Sequence, residues 1–304
     1  MGGHRRICHR RGEGMSLSGR VIKSVAGDYT VDCAGTAYMC RGSGRTHMDG
    51  ERIVVGDEVT INPDTLSIER IAPRRSRLTR PYVANVDMVV AVCAPGPLPD
   101  WLLVDKLMVQ CRKLGIPFYV CATKCDVAED GWARRVAAEY APVADGVLET
   151  SVVTGEGVEA LRALLKGKFS CFAGQSGMGK TSLLNALSGG DSGAVGALGA
   201  RNARGKNTTR HVEAYKLEAG TYVLDTPGFS LMDLDVPPEE LCLYYADMTA
   251  VGRDCFFQPC THRRETGCAV RAAVGDGTLN RARYERYVRL YQMLAAQQQK
   301  KRGY

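Results

Sequence analysis

No apolar run in the 304-residue sequence approaches the roughly 20 residues that a helix needs to cross a bilayer. The opening residues, MGGHRRICHRRGEG, are basic and lack the apolar stretch of a secretory signal. A disulfide framework is missing too. Of the twelve cysteines, nine are scattered, several inside apolar runs such as VVAVCA and PFYVCA. These read as small buried residues in a reducing compartment. The expectation is a soluble, cytoplasmic, monomeric chain with no membrane partner. The segment APRRSRLTRP, residues 72–81, has too little glycine for a flexible linker. Its Arg74, Arg75, Arg77 and Arg80 are placed either to meet phosphate or to solvate a connector.

What is present is charge at the two ends. Net charge is +7, but residues 1–80 hold 14 Lys/Arg against 9 Asp/Glu and residues 236–304 hold 11 against 7, whereas the centre holds 15 against 17. Ordinary surface charge would account for the total; the uneven split favours ends that touch a polyanion. The length allows about two or three domains, each with its own core.

Residues 17–72 show short alternating runs, among them GRVIKSV, DYTVDC and RIVVGDEVTI, separated by Gly, Asp and Asn-Pro signals. They predict a small antiparallel barrel, of OB type in preference to another small barrel. From Asp87 the period changes. DMVVAVCA reads as a buried strand, and Asp100 is placed to cap the helix WLLVDKLMVQCRKL, which Gly115 ends. PFYVCATKCD, a helix around 131–140, GVLETS, a helix around 157–165, KFSCFAG, KTSLLNALS and TYVLDTPG continue the alternation, which indicates an α/β domain with a largely parallel sheet. Its ligand belongs at the carboxyl ends of the strands. After about residue 236 the pattern breaks into short helical pieces. A last helix is expected from about Thr278, with Tyr284, Tyr287, Val288, Tyr291 and Leu294 on a packed face and Arg281, Arg283, Arg286 and Arg289 mostly off it. QQQKKRGY reads as a frayed basic tail. The domains are therefore a basic tail over 1–14, expected to be disordered, a barrel over 15–72, an α/β domain over 73–235 and a helical domain over 236–304.

FAGQSGMGKTSLLN contains G-x-x-x-x-G-K-T, the spacing of a phosphate-cradling loop. Its members are Gly174, Gln175, Ser176, Gly177, Met178, Gly179, Lys180, Thr181 and Ser182. Glycines let backbone N–H groups turn onto phosphate oxygens, Lys180 neutralises the β and γ phosphates, and the Thr181 hydroxyl holds Mg²⁺. The helix start behind the loop adds partial positive charge. In LDTPGF, Asp225 can reach Mg²⁺ through water and the Gly228 N–H can bind the γ-phosphate. Thr208 or Thr209, in KNTTRH, is a candidate for the hydroxyl that closes onto Mg²⁺.

TKCD, formed by Thr123, Lys124, Cys125 and Asp126, supplies the base. A carboxylate at Asp126 can accept hydrogen bonds from both N1–H and the exocyclic amine of guanine, which adenine cannot offer together. The Lys124 stem can lie over the base, and SVVTGEG, from Ser151, adds a backbone contact to the guanine oxygen. Together the loops make GTP and GDP the ligands. Their order is base loop, phosphate loop, Thr switch, Asp-x-x-Gly switch. Ordinary GTPases start with the phosphate loop, so the chain is a circular permutation, which leaves the packed contacts intact. The Asp225–Gly228 switch then leads straight into the C-terminal domain.

Cys255, Cys260, His262 and Cys268 are spaced C-x₄-C-x-H-x₅-C. Three thiolates and an imidazole are the composition of a closed, structural zinc site. The alternative, unrelated buried cysteines beside a surface histidine, leaves four soft ligands within fourteen residues to coincidence.

Together these residues resemble the RsgA (YjeQ) family of circularly permuted GTPases. The likeness runs through nearly all of the chain after about residue 15, in family order: barrel, PYVANVD, TKCD, phosphate loop, GKNTTRHVE, DTPGF and the Cys/Cys/His/Cys spacing. It implies an OB domain, a permuted P-loop GTPase domain and a C-terminal zinc domain. It also implies GTP hydrolysis stimulated by the small (30S) ribosomal subunit, contact with its rRNA, and release of assembly factors late in maturation. Three departures stand out. Thr123 replaces the commoner Asn, Asn207 stands where the family usually has His, and Phe229 follows Asp-x-x-Gly where Ras-like enzymes place a water-orienting Gln. The apolar Phe229 is shared by the family and suggests slow basal turnover. Two other readings remain: an RNA-binding module that uses GTP only as a ligand, and a permuted GTPase acting on another RNA or the large subunit.

Overall fold

The computed structural model describes residues 16–42, 52–79, 82–129, 131–189, 212–225 and 234–302. The basic tail 1–14 therefore lies outside the described residues. The alternating runs form β1 (Leu17–Val25), β2 (Asp28–Cys33), β3 (Thr36–Gly42), β4 (Glu58–Asn62) and β5 (Ser67–Ile71). Their order, β1-β2-β3-β5-β4, closes because β4 pairs back onto β1. Only β3 and β5 run parallel. The result is the five-stranded barrel the sequence predicts, filled by Val21, Val31, Cys40, Ile61 and Ile68, none of them exposed.

A short pair, β6 (Arg77–Thr79) and β7 (Tyr82–Ala84), joins the barrel to the α/β unit. Here one expectation is corrected. Arg74 donates from Nε and Nη2 to the two oxygens of buried Asp57, at 2.7 and 2.8 Å, and to the Arg52 carbonyl. Arg75 pairs with Asp87 at 2.9 Å. Arg74, nearly buried against Asp57, braces the junction instead of waiting for phosphate, whereas Arg75 pairs with Asp87 and stays largely exposed.

The α/β unit contains β8 (Met88–Cys93), α1 (Trp101–Leu114), β9 (Phe118–Ala122), α2 (Trp132–Tyr140), β10 (Gly146–Glu149), α3 (Val158–Leu165), β11 (Phe169–Ala173), α4 (Lys180–Leu187), β12 (Val212–Glu218) and β13 (Thr221–Asp225). The strand order is β10-β9-β8-β11-β13-β12. Every adjacent pair is parallel except β12 and β13. All six residues of β8 are buried, which explains its unbroken apolar run. Val89, Ala91 and Cys93 face α1 and α2, while Met88, Val90 and Val92 join the core beneath α3 and α4. As expected, the Asp100 side chain accepts from Leu103 N at 3.1 Å to cap α1, and Gly115, at φ 65°, ends it.

The barrel is joined edge to edge to this sheet through β1 and β12. Lys23 pairs with Glu213 at 2.9 Å, and Asp32 accepts from Lys216 and the Tyr222 hydroxyl at 2.7 Å each. Burial works against ionisation of Asp32, but these hydrogen bonds outweigh it and hold the carboxyl below its usual range. Arg20 also lies over the Phe169 ring, 5.0 Å from its centroid.

The C-terminal region has a 3₁₀ turn over Pro238–Tyr244, then α5 (Ala246–Gly252), α6 (Ala269–Gly275) and α7 (Arg281–Arg302). α7 starts later than expected because the Asn280 side chain accepts from Arg283 N at 3.0 Å and caps it there. It also continues through the segment expected to fray, ending at Arg302. The tyrosine face packs as predicted: Tyr287 and Tyr291 are buried, and Tyr287 meets Tyr245 edge-on. The arginines depart from expectation, since Arg283 is buried and most of the Arg286 side chain is too. Carboxylates on α1, α2 and α5 supply the partners that make this burial tolerable.

Candidate functional site

The strand order reverses between β8 and β11: the chain leaves β8 for β9 on one side and β11 is followed outward by β13 on the other. Loops from the carboxyl ends of β8, β9, β10 and β11, together with Asp225 at the end of β13, meet over this crevice, where open α/β sheets bind ligands. The phosphate loop begins at Gly174, φ 140°, and a Cβ there would sit 2.5 Å from the Val92 carbonyl oxygen. Only glycine lets β11 turn this close to β8.

Gly179 precedes the first turn of α4, and Lys180 opens it. The Lys180 Nζ donates to the Gly174 and Gln175 carbonyls at 2.8 Å each, which holds the ammonium inside the curve of the loop. Burial lowers its pKa, and Asp225 opposes that shift. Asp225, at the end of β13, is pushed the other way by burial, against Lys180 and Thr181. The Thr181 hydroxyl donates to Asp225 Oδ2 at 3.3 Å. A hydroxyl and a carboxylate side by side beneath the loop suit a hard cation with oxygen ligands. Ser176, Gly177 and Ser182 are exposed around the mouth, and Met178 is buried.

The base loop follows β9 and is tied to the phosphate loop by two consecutive residues. Thr123, fully buried, has Oγ1 at 2.8 Å from the Met178 carbonyl and 3.2 Å from that of Cys93. Lys124 Nζ donates to the Gly177 carbonyl at 2.9 Å. Segments some fifty residues apart in sequence therefore share hydrogen bonds. The geometry also answers the departure at Thr123: its hydroxyl spans β8 and the phosphate loop, so the brace is made without Asn. The Asp126 carboxylate is exposed and accepts from Ser151 Oγ at 2.6 Å. Cys125 is half-buried, and its backbone N–H donates to the Thr150 carbonyl at 3.3 Å.

Two phosphate-loop residues named from the sequence have side-chain roles that it does not show. The Gln175 side chain accepts from Asp100 N at 2.8 Å, and Met178 Sδ accepts from Ala94 N at 3.3 Å. Both tie the phosphate loop to the 94–100 segment, and neither residue type carries a signature of that role. Thr208, Thr209 and Gly228, with Asn207 and Phe229, lie outside the described residues.

The Cys/His group assembles between α5 and α6. The ligand atoms of Cys255, Cys260, His262 and Cys268 all lie within 4.8 Å of one another. Cys255 and Cys268 Sγ are 3.9 Å apart, and each is 3.5 Å from His262 Nδ1. A tetrahedral ion with sulfur bonds of about 2.3 Å gives edges of about 3.8 Å for S···S and about 3.6 Å for S···N. The donor set and its dimensions thus fit a metal ion. The shell behind it is built as well. Tyr284 and Tyr287 hydroxyls donate to the His262 and Thr261 carbonyls at 2.8 and 2.9 Å. Glu265 accepts from the backbone N–H groups of Thr261, Arg263 and Arg264. A Cβ on Gly252 would lie 3.0 Å from the His262 ring, so this helix position is kept small.

Comparison with known proteins gives a consistent picture. The RsgA GTPase family model matches residues 71–235 and the RsgA N-terminal domain model matches 18–67. The chain is 37% identical over 278 residues to the small ribosomal subunit biogenesis GTPase RsgA of Caldanaerobacter subterraneus subsp. tengcongensis, covering 90% of this chain and 94% of that relative. Among solved structures, the crystal structure of YjeQ from Thermotoga maritima matches with a TM-score of 0.77 at 33% identity, over 92% of this chain and 99% of that one. YloQ, described as a circularly permuted GTPase, matches at 0.75 and 29% identity, over 96% and 99%.

Proposed function

This chain belongs to the RsgA family of GTPases, and from that membership we propose that it is a cytoplasmic maturation factor whose slow GTP hydrolysis is accelerated by the small ribosomal subunit. The hydrogen bonds between base loop and phosphate loop carry the reading, because they tie Thr123 and Lys124, next to Asp126 in the chain, to the phosphate cradle. Asp126 selects guanine, with Ser151 orienting the carboxylate. Lys180 neutralises the phosphates, and Thr181, Asp225 and Thr208 hold Mg²⁺. When bound, Mg²⁺ supplies charge stabilisation on the transferring phosphate. The Cys₃His group holds one structural zinc ion. The barrel and the basic ends grip rRNA, and hydrolysis promotes assembly-factor release. No helix among the described residues is long and apolar enough to cross a membrane.

GTP turnover measured with and without purified small subunits at low salt tests this. Weak basal activity, stimulation by subunits, and loss of both in Lys180→Ala are expected. Turnover that small subunits leave unchanged would contradict the proposal.

A further inference from the structure

Neither the metal cluster nor the nucleotide loops accounts for two buried arginines on α7. Arg286 reaches across two helices of the α/β unit: Nε donates to Asp105 Oδ2 on α1 at 2.7 Å, and Nη2 meets Glu139 Oε1 and lies 3.4 Å from the Tyr140 hydroxyl, both on α2. The Tyr140 hydroxyl donates to Asp105 Oδ1 at 2.8 Å. One turn earlier, Arg283 donates to the Glu139 carbonyl and to Asp247 on α5. Asp105 has no exposed surface. Burial pushes its carboxyl up to about 6, against the pull of Arg286.

The helices held in this way carry the nucleotide loops. Trp101, the first residue of α1, stacks on Tyr140 at 5.6 Å between centroids and lies 5.9 Å from Trp132, the first residue of α2. Immediately before Trp101, Asp100 caps α1 and gives its N–H to Gln175 of the phosphate loop. Just before Trp132 lies the loop that carries Asp126. A series of contacts thus runs from Arg286 through Asp105, Tyr140 and Trp101 to its chain neighbour Asp100, which bonds Gln175. A planar guanidinium fork presents donors from separate nitrogens in fixed directions to the carboxylates of two helices; a lysine ammonium gathers its donors at one nitrogen and fixes the geometry less well.

We propose that Arg286 is a positioning residue of the nucleotide site: by clamping α1 to α2 it fixes the 94–100 and base-reading loops against the phosphate loop, so that the C-terminal helix sets how long guanine nucleotide stays bound. This rests on the GTP-site reading above. A purely structural role, fastening the C-terminal region to its neighbour, would leave nucleotide release unchanged once the chain is folded.

The test follows release of a fluorescent GDP from full-length protein, with GTP KM and kcat, metal content and circular dichroism measured alongside. Arg286→Met should speed release about tenfold and raise KM more than it changes kcat. Arg286→Lys should fall between it and wild type. Because Arg286→Met strands a buried carboxylate, the double variant Asp105→Asn/Arg286→Met provides a form without that charge. It should release GDP about as fast as Arg286→Met, and so well above the wild-type rate, since both changes break one link. A folded, metal-loaded double variant that releases GDP at the wild-type rate would overturn the proposal while leaving the site reading intact. Wild-type protein that holds no guanine nucleotide would overturn both.

Discussion

Asp126→Asn should convert the protein from a guanine to a xanthine nucleotide binder. The wild-type carboxylate is acceptor-only, and guanine offers it two donors, N1–H and the exocyclic amine. An asparagine amide keeps one acceptor and replaces the other with a donor, which now faces the amine. Losing one charge-assisted bond and creating a donor–donor clash should weaken GTP by about a hundredfold or more. Xanthine carries a carbonyl where guanine carries that amine, so the amide can donate to it while Oδ1 still accepts from N1–H. Ser151 Oγ, which donates to Asp126 Oδ1 at 2.6 Å, can donate equally to the asparagine Oδ1 and hold the same orientation. Competition binding with GDP and xanthosine diphosphate checks the exchange. A variant that loses both nucleotides alike would mean that Asp126 supports the loop without reading the base.

Removing metal from the Cys₃His group should release α7 from its seat. Structural zinc contributes about 10 kcal/mol or more of apparent folding free energy in small metal-held units. Here the ligand loop is also the platform for α7, through the Tyr284 and Tyr287 hydroxyls on its backbone carbonyls. Cys268→Ser, or a strong chelator, should abolish metal binding and expose α7 and the 255–268 segment to rapid hydrogen exchange. Strands β8, β9 and β11 should keep their protection, because their amide hydrogens are held by the β9–β8–β11 ladders, which include none of the ligands. Metal-free protein with an unchanged exchange pattern along α7 would contradict the structural role.

The parts legible in the sequence are those whose signal is local. A wholly buried strand must be apolar throughout, so DMVVAVC announces β8. A phosphate loop must place glycine where β11 passes under Val92, so its spacing is visible too. The barrel follows from alternation, and the metal group from soft ligands close together in the chain. What stayed hidden depends on partners far away. Arg286 and Asp105 are 181 positions apart, and a helical arginine off the apolar face looks solvated until its carboxylate is found. Arg74 reads as open to phosphate or solvent for a related reason: its partner, Asp57, is 17 positions back, and nothing in the sequence marks that carboxylate as buried. Thr123 reads from the sequence only as a departure from the commoner Asn, because the sequence cannot show that its hydroxyl reaches the Met178 carbonyl. The end of α7 was misjudged because a polar, basic segment reads as a frayed tail when nothing local marks where the helix stops.

A structure of the full chain with GDP bound tests the central claim most directly. The account places the guanine edge within hydrogen-bond distance of the Asp126 carboxylate and the β-phosphate against the Gly174–Thr181 backbone and Lys180, in one molecule and at one site. A nucleotide whose phosphates occupy that loop while its base lies away from Asp126 would contradict it.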